Sequence, residues 1–177
     1  MTSRRSNWIL LVLALLTISS SVCFANVIYV KWDSPNDGPG NNWVHAYHTV
    51  QAGLDAAAYK DEVWVAKGTY VERITLHCGV ALYGGFVGTE TSKNQRNWKA
   101  NVTVLDGNNG GSGGSHVVSI CSGDLNTCID GFTIRNGSGG GIGCVNSSPA
   151  IRNNTITRQE TSQAMAAEYT LAPLNRR

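Results

Sequence analysis

Four residues in the second half of the chain have the types and spacing for chemistry: Asp106, Asp130, Arg135 and Arg152. Taking a proton from carbon beside a carboxylate needs a base and a neutralising cation on one face, within hydrogen-bond reach of one substrate unit. The two carboxylates could hold a hard cation, and the two guanidinium groups complete the set. Asp130 and Arg152 stand 22 residues apart, and that interval recurs. Ile129-Asp130-Gly131-Phe132-Thr133-Ile134 lies over Ile151-Arg152-Asn153-Asn154-Thr155-Ile156, and Val80-Ala81-Leu82 precedes Val102-Thr103-Val104 by the same step. In stacked strands Asp130 and Arg152 would face the same way about 4.8 Å apart. The plainer reading, favoured over catalysis, is a surface pair whose charges largely neutralise each other, contributing under about 1 kcal/mol.

The elements that must position these residues follow from the same interval. Self-similarity at such a step marks repeat architectures, in which one unit cannot bury its apolar face without its neighbour. It matches one coil of a parallel β-helix, with Ile129, Ile134, Ile151 and Ile156 buried and stacked in pairs. Strand-like runs are expected at residues 26–32, 62–66, 69–71, 74–76, 80–83, 102–105, 116–120, 129–135, 142–145 and 150–156. Dense Gly, Asn, Asp and Pro mark loops at 33–42, 107–114 and 137–143. Residues 49–59 carry Val50, Leu54, Ala57 and Ala58 at helical spacing behind a Thr49 N-cap. That helix would close the open first coil. From residue 159 the pattern stops; 162–169 read as a short helix, and the tail as either a makeshift cap or the sign of a truncated array, the second being favoured.

Residues 1–25 have the form of an export signal: Arg4 and Arg5, an apolar run over 8–18, then Cys23-Phe24-Ala25 before the cleavage point. The run is short for a membrane span, so the expected mature chain has none. This gives three parts, 1–25 signal, 26–158 cap and coils, 159–177 tail, and a secreted or cell-surface location. The chain has 14 Lys and Arg against 12 Asp and Glu, and without Arg4 and Arg5 the two balance. A neutral chain with no basic run offers no electrostatic case for nucleic acid. Export permits disulfides among Cys78, Cys121, Cys128 and Cys144. The short turn between Cys121 and Cys128 favours that pair, with Cys78 and Cys144 as small reduced fillers inside the coils an even alternative.

Several segments together resemble the secreted bacterial right-handed parallel β-helix proteins of the pectin-lyase-like superfamily. They are Ile28-Tyr29-Val30, the loop at 33–42, Trp43, Tyr47 and the helix; then residues 61–70, 80–91, Gln95-Arg96-Asn97-Trp98, 130–134 and 147–156. The resemblance spans about residues 27–157. It implies an all-β, right-handed solenoid with an N-terminal capping helix, and leaves activity open, since such proteins range from polysaccharide lyases to adhesins. In the lyases it implies Ca²⁺ held by outward carboxylates beside an Arg or Lys base. Asp106, Asp130, Arg135 and Arg152 match by type, and Ca²⁺ is the one cofactor they could take, yet the lyase Asp-His and Arg-x-Pro-x-x-Arg elements are absent from the sequence.

Other motifs have plainer readings. Asn136, Asn153 and Asn154 fall at expected coil corners, where asparagine tolerates left-handed angles. The loop at 33–38 is a turn, because Pro35 occupies a position a calcium loop would need for a ligand. His45 and His48 could share a face but lack a third ligand, and no metal site is expected. Gly139-Gly140-Gly141-Ile142-Gly143 precedes a strand, which excludes a phosphate cradle. The expectation is therefore a β-helix module, non-catalytic, meeting carbohydrate or a cell-surface protein or serving as scaffold. The alternative is a fragment of a polysaccharide lyase or glycosidase.

Overall fold

The computed structural model describes residues 25–109, 115–122 and 124–157. The proposed signal segment and the tail, including the expected helix at 162–169, lie outside the described residues. The described residues are β-rich, with twelve strands and one short α-helix. The strands are β1 (Val27–Val30), β2 (Glu62–Ala66), β3 (Gly68–Tyr70), β4 (Ile74–Leu76), β5 (Ala81–Phe86), β6 (Thr103–Asp106), β7 (His116–Cys121), β8 (Cys128–Asp130), β9 (Phe132–Arg135), β10 (Gly140–Val145), β11 (Ala150–Arg152) and β12 (Thr155–Thr157). They form three parallel sheets of order β1-β2-β5-β8-β11, β3-β6-β9-β12 and β4-β7-β10. From β2 onward the chain visits the first, second and third sheet in rotation.

Register explains the hydrophobic pattern. In the first sheet Val63 pairs with Leu82, Leu82 with Ile129 and Ile129 with Ile151. Tyr70, Leu105, Ile134 and Ile156 align in the second sheet, and Ile74, Val118 and Ile142 in the third. Most of these side chains are buried in one cluster shared by the three sheets, and each fully buried aliphatic contributes roughly 1.5–3 kcal/mol. Ile151 and Ile156 depart from the expectation: they stack in register but stay 46% and 54% exposed. They belong to the last described strands of their sheets, so each has a rung on one side only among the described residues.

Two expected strands are each a pair of strands. Residues 129–135 bend at Gly131, whose φ is +89°, and 150–156 bend at Asn153, whose φ is 51°. Asn136 also takes a left-handed φ of 61°. Asn154 spans the corner by amide bonds, accepting from the Phe132 N–H at 2.9 Å and donating to the Ile129 carbonyl at 3.0 Å. The two 22-residue steps are also different things. Ile129 to Ile151 is one stacked turn, whereas Leu82 and Val104 sit in different sheets, and Leu82 stacks on Ile129 instead.

The helix, α1 (Val50–Ala56), is shorter than expected. Thr49 Oγ1 accepts from the Ala52 N–H at 3.3 Å, and the Glu72 carboxylate takes the Val50 and Gln51 N–H groups at 2.8 and 3.0 Å. It stops because Ala57 turns extended and the buried Asp61 carboxylate pins the next turn, accepting from the Ala58 and Asn26 N–H groups. Val50 and Leu54 join the common core. Gly53 allows the approach to β1, since a Cβ there would lie 2.5 Å from Val30 Cγ2.

Cys128 is a free thiol, and the side chain of Cys121, its expected disulfide partner, lies outside the described residues. Cys128 lies buried on the outer side of β8, in register with Ala81 and Ala150. Cys78 and Cys144 are not fillers: both are exposed, Cys78 beside the turn before β5 and Cys144 on a last described strand.

Ile134→Asp places a charge in the fully buried rung and is expected to cost several kcal/mol, while Ile156→Asp at the half-exposed rung costs much less. Denaturant midpoints of the two variants check this ordering. Equal losses would mean the register is wrong.

Candidate functional site

Because strand side chains alternate between faces, the buried rungs of the first sheet imply an outward ladder. Tyr29, Trp64, Tyr83, Asp130 and Arg152 stand in line on β1, β2, β5, β8 and β11. The first rungs are sealed. Trp64 is packed edge-on to Tyr29 at 5.7 Å and stacked on Phe86 at 4.7 Å, and its indole N–H donates to Glu62. Tyr83, Asp130 and Arg152 face an open groove.

The groove's other wall is the segment 87–102 between β5 and β6, where the same corner elsewhere takes one or two residues. Glu90 folds its start, accepting from the Val87, Gly88 and Thr89 N–H groups at 2.6, 2.9 and 3.0 Å. A Ser92–Gln95 capping box closes a 3₁₀ turn at Lys93–Gln95. The segment then lies flat on the sheet corner: the Asn97 N–H donates to the Gly85 carbonyl at 2.8 Å. A Cβ on Gly85 or Gly131 would come within 2.5 Å of Trp98 Cα or 2.9 Å of Trp98 Cβ. Two positive-φ glycines thus bring Lys93, Asn94, Arg96 and Trp98 over the open rungs.

The electrostatics of this wall are specific. Arg96 Nη2 binds Asp130 Oδ2 at 2.9 Å, while its Nη1 donates to the Gly84 and Asp130 carbonyls. The Asn153 amide donates to Asp130 Oδ1 at 2.9 Å. Lys93 pairs with Glu62 and stands 4.4 Å from the Tyr83 ring centroid, and the Arg96 guanidinium stands 5.1 Å from it. Burial raises the Tyr83 hydroxyl above its ordinary pKa, with the nearby Lys93 ammonium opposing. The groove holds about 390 Å³ and is lined by Tyr83, Lys93, Asn94, Arg96, Trp98, Asp130 and Arg152. Past Trp98 a second groove of about 210 Å³ runs by Lys99, Thr133, Asn153 and Thr155.

The four residues singled out by type do not meet in one place. The bends after β8 and β11 divide them: Asp130 and Arg152 lie in the first sheet, Asp106 and Arg135 in the second. Asp130 and Arg152 are in register as expected, but the expected mutual neutralisation is replaced by Arg96 and Asn153 on the Asp130 carboxylate. Arg152 makes no ion pair among the described residues. Asp106 takes Arg135 Nε at 2.7 Å, the Asn136 amide at 2.7 Å and the Asn108 N–H at 3.0 Å. Both carboxylates therefore have both oxygens engaged, which suits holding the sheet corners better than abstracting a proton. His45 and His48 have separate partners, Asn42 for the first and the Ser34 carbonyl for the second. Among the described residues no group of three His, Cys, Asp or Glu could hold a metal ion.

Type and spacing alone missed Tyr83, Lys93, Arg96 and Trp98 as site residues. The available signal was the length of residues 87–102, since long ordered loops on a regular scaffold carry function more often than their short counterparts.

Burial pushes the Asp106 carboxyl upward, but the bonds from Asn136, Asn108 and Arg135 outweigh it, leaving its pKa below the ordinary value. A lowered folded pKa stabilises above the unfolded value, about 3.9, and that stability is lost as pH falls through the folded one. Thermal melts below about pH 4 should therefore show a smaller acid loss in Asp106→Asn than in the parent chain. Parallel losses would mean that these bonds do not form.

No curated protein and no solved structure matches the chain. Residues 34–173 match the family described as "Protein of unknown function (DUF1565)". That match takes in α1, the segment 87–102 and both charged corners, and the chain belongs to this family.

Proposed function

We propose that the chain is a secreted or cell-surface module, a right-handed parallel β-helix with α1 as its N-terminal cap, which contacts carbohydrate or protein without catalysing a reaction. The solenoid reading is supported by the rotation of strands through three parallel sheets and by the right-handedness of nearly all parallel crossovers. The family is known as a right-handed β-helix-like domain, which supports it too. The signal-like residues 1–25 support export, and no helix among the described residues is long and apolar enough to cross a membrane.

One observation carries the non-catalytic reading: Asp130 and Asp106, the two carboxylates that could act as bases, each have both oxygens committed to the chain's own donors. What remains in the groove is an aromatic and cationic surface suited to holding a ligand. The reading invokes no cofactor. A second reading, a polysaccharide lyase or glycosidase, is favoured by Arg152, a guanidinium in the groove with no ion pair among the described residues.

Incubation of the purified protein with pectate or alginate, with and without Ca²⁺, tests the choice. No unsaturated uronides should appear. Release that is abolished by Arg152→Ala or Asp130→Asn would replace the proposed function with the second reading.

A further inference from the structure

Asp61 is 3% exposed, and none of the ion pairs among the described residues includes it. Its oxygens accept from backbone N–H groups instead, Oδ1 from Asn26 and Oδ2 from Ala58, each at 2.8 Å. The adjacent cation, Lys60, stands with its Nζ 5.7 Å from the Tyr59 ring centroid. Asp61 also joins three parts of the fold. Its N–H donates to the Ala58 carbonyl and its carbonyl accepts from the Ala81 N–H, both at 3.0 Å, so the turn after α1 and the starts of β2 and β5 meet there. Asn26 is fixed beside it, because the Asn26 carbonyl accepts the Glu62 N–H at 2.9 Å where β1 begins to pair with β2. A carboxylate taken out of water is costly until a cation neutralises it.

Position 26 is also where the sequence places the first residue after the export signal, since Cys23-Phe24-Ala25 supplies the small residues wanted before a cleavage point. Ala25 and Asn26 are both exposed, whereas the chain from Val27 onward enters the first sheet. Resting on the reading of residues 1–25 as an export signal, we propose that hydrolysis of the Ala25–Asn26 bond by the exporting cell's signal-cleaving protease creates the missing partner of Asp61. Water adds its oxygen to the Ala25 carbonyl carbon and the C–N bond breaks. Ala25 leaves with the leader as a carboxylate, and both water protons end on the Asn26 nitrogen. The nitrogen that faces Asp61 Oδ1 as a neutral amide becomes an ammonium in the same place, so no rearrangement is needed. Removal of the leader thus converts a lone buried charge into an ion pair, and the joint between β1, β2 and the turn after α1 tightens only in the processed chain.

Export of the full chain, followed by N-terminal sequencing, should give Asn26 as the first residue. That processed chain holds α1 and all twelve described strands. It is compared in denaturant with the same chain carrying Ala25 and an initiator Met in front, which moves the ammonium away by about 7 Å. The processed chain should have an unfolding equilibrium constant at least about tenfold smaller, the difference expected of one charged hydrogen bond. Asp61→Asn should abolish that difference. If this variant misfolds, the rate at which acetic anhydride labels the Asn26 amine decides, read by mass spectrometry: the amine should react more slowly in the folded chain than in the unfolded one. Equal stability of the two chains, a difference that survives Asp61→Asn, an unprotected Asn26 amine or a first residue other than Asn26 would each overturn the inference and leave the export reading standing. A chain neither exported nor cleaved would overturn both together.

Discussion

The in-register stacking of apolar rungs on parallel strands is the constraint from which the rest follows. Val63, Leu82, Ile129 and Ile151 form one column, and Tyr70, Leu105, Ile134 and Ile156 another. A one-residue slip would turn every such side chain outward, so burial of the columns fixes the register. With it fixed, the residues between the rungs have no freedom either. Tyr83, Asp130 and Arg152 must point out, and in line. The outward face is thus a by-product of the core, with its residues placed by the same register.

Onto that scaffold the chain adds one irregular piece. The segment 87–102 leaves β5 and is tied down by the Glu90 carboxylate, by the Ser92–Gln95 box and by backbone contact through Gly85 and Gly131. These glycines contribute no side chain, and that is their role: the Trp98 backbone occupies the space a Cβ would need. Arg96 then completes the anchorage by reaching Asp130 one turn further along. The same ion pair that holds the loop occupies Asp130 Oδ2, so attachment of the loop and engagement of that carboxylate oxygen are one event.

Much of this was legible in the residues. The Ile-x-x-x-Thr-Ile repeat placed β8, β9, β11 and β12 on one stack, and the Thr49 cap located the start of α1. Three features were not legible, each for a physical reason. The corners at Gly131 and Asn153 were hidden because apolar residues lie on both sides of them, so a bent pair of strands reads as one strand. The second 22-residue step, from Leu82 to Val104, is a coincidence of loop length, which only the pairing of Leu82 with Ile129 exposes. Arg96 as the partner of Asp130 could not be read from spacing, because a folded-back loop brings together residues that no period connects. The open rungs Ile151 and Ile156 show the limit of the stacking argument itself: register gives a side chain a neighbour on one side, and burial needs one on both.

The central claim is that the loop is locked to the stack by Arg96 on Asp130, with Arg152 in register beside them but without an ion pair among the described residues. A double-mutant cycle on stability tests it most directly, comparing Arg96→Ala with Asp130→Ala and, separately, Arg152→Ala with Asp130→Ala. The structure predicts a coupling above about 1 kcal/mol for Arg96 with Asp130, as expected for a largely buried, charged hydrogen bond, and close to zero for Arg152 with Asp130. The reverse result, with Asp130 coupled to Arg152 and indifferent to Arg96, would contradict it.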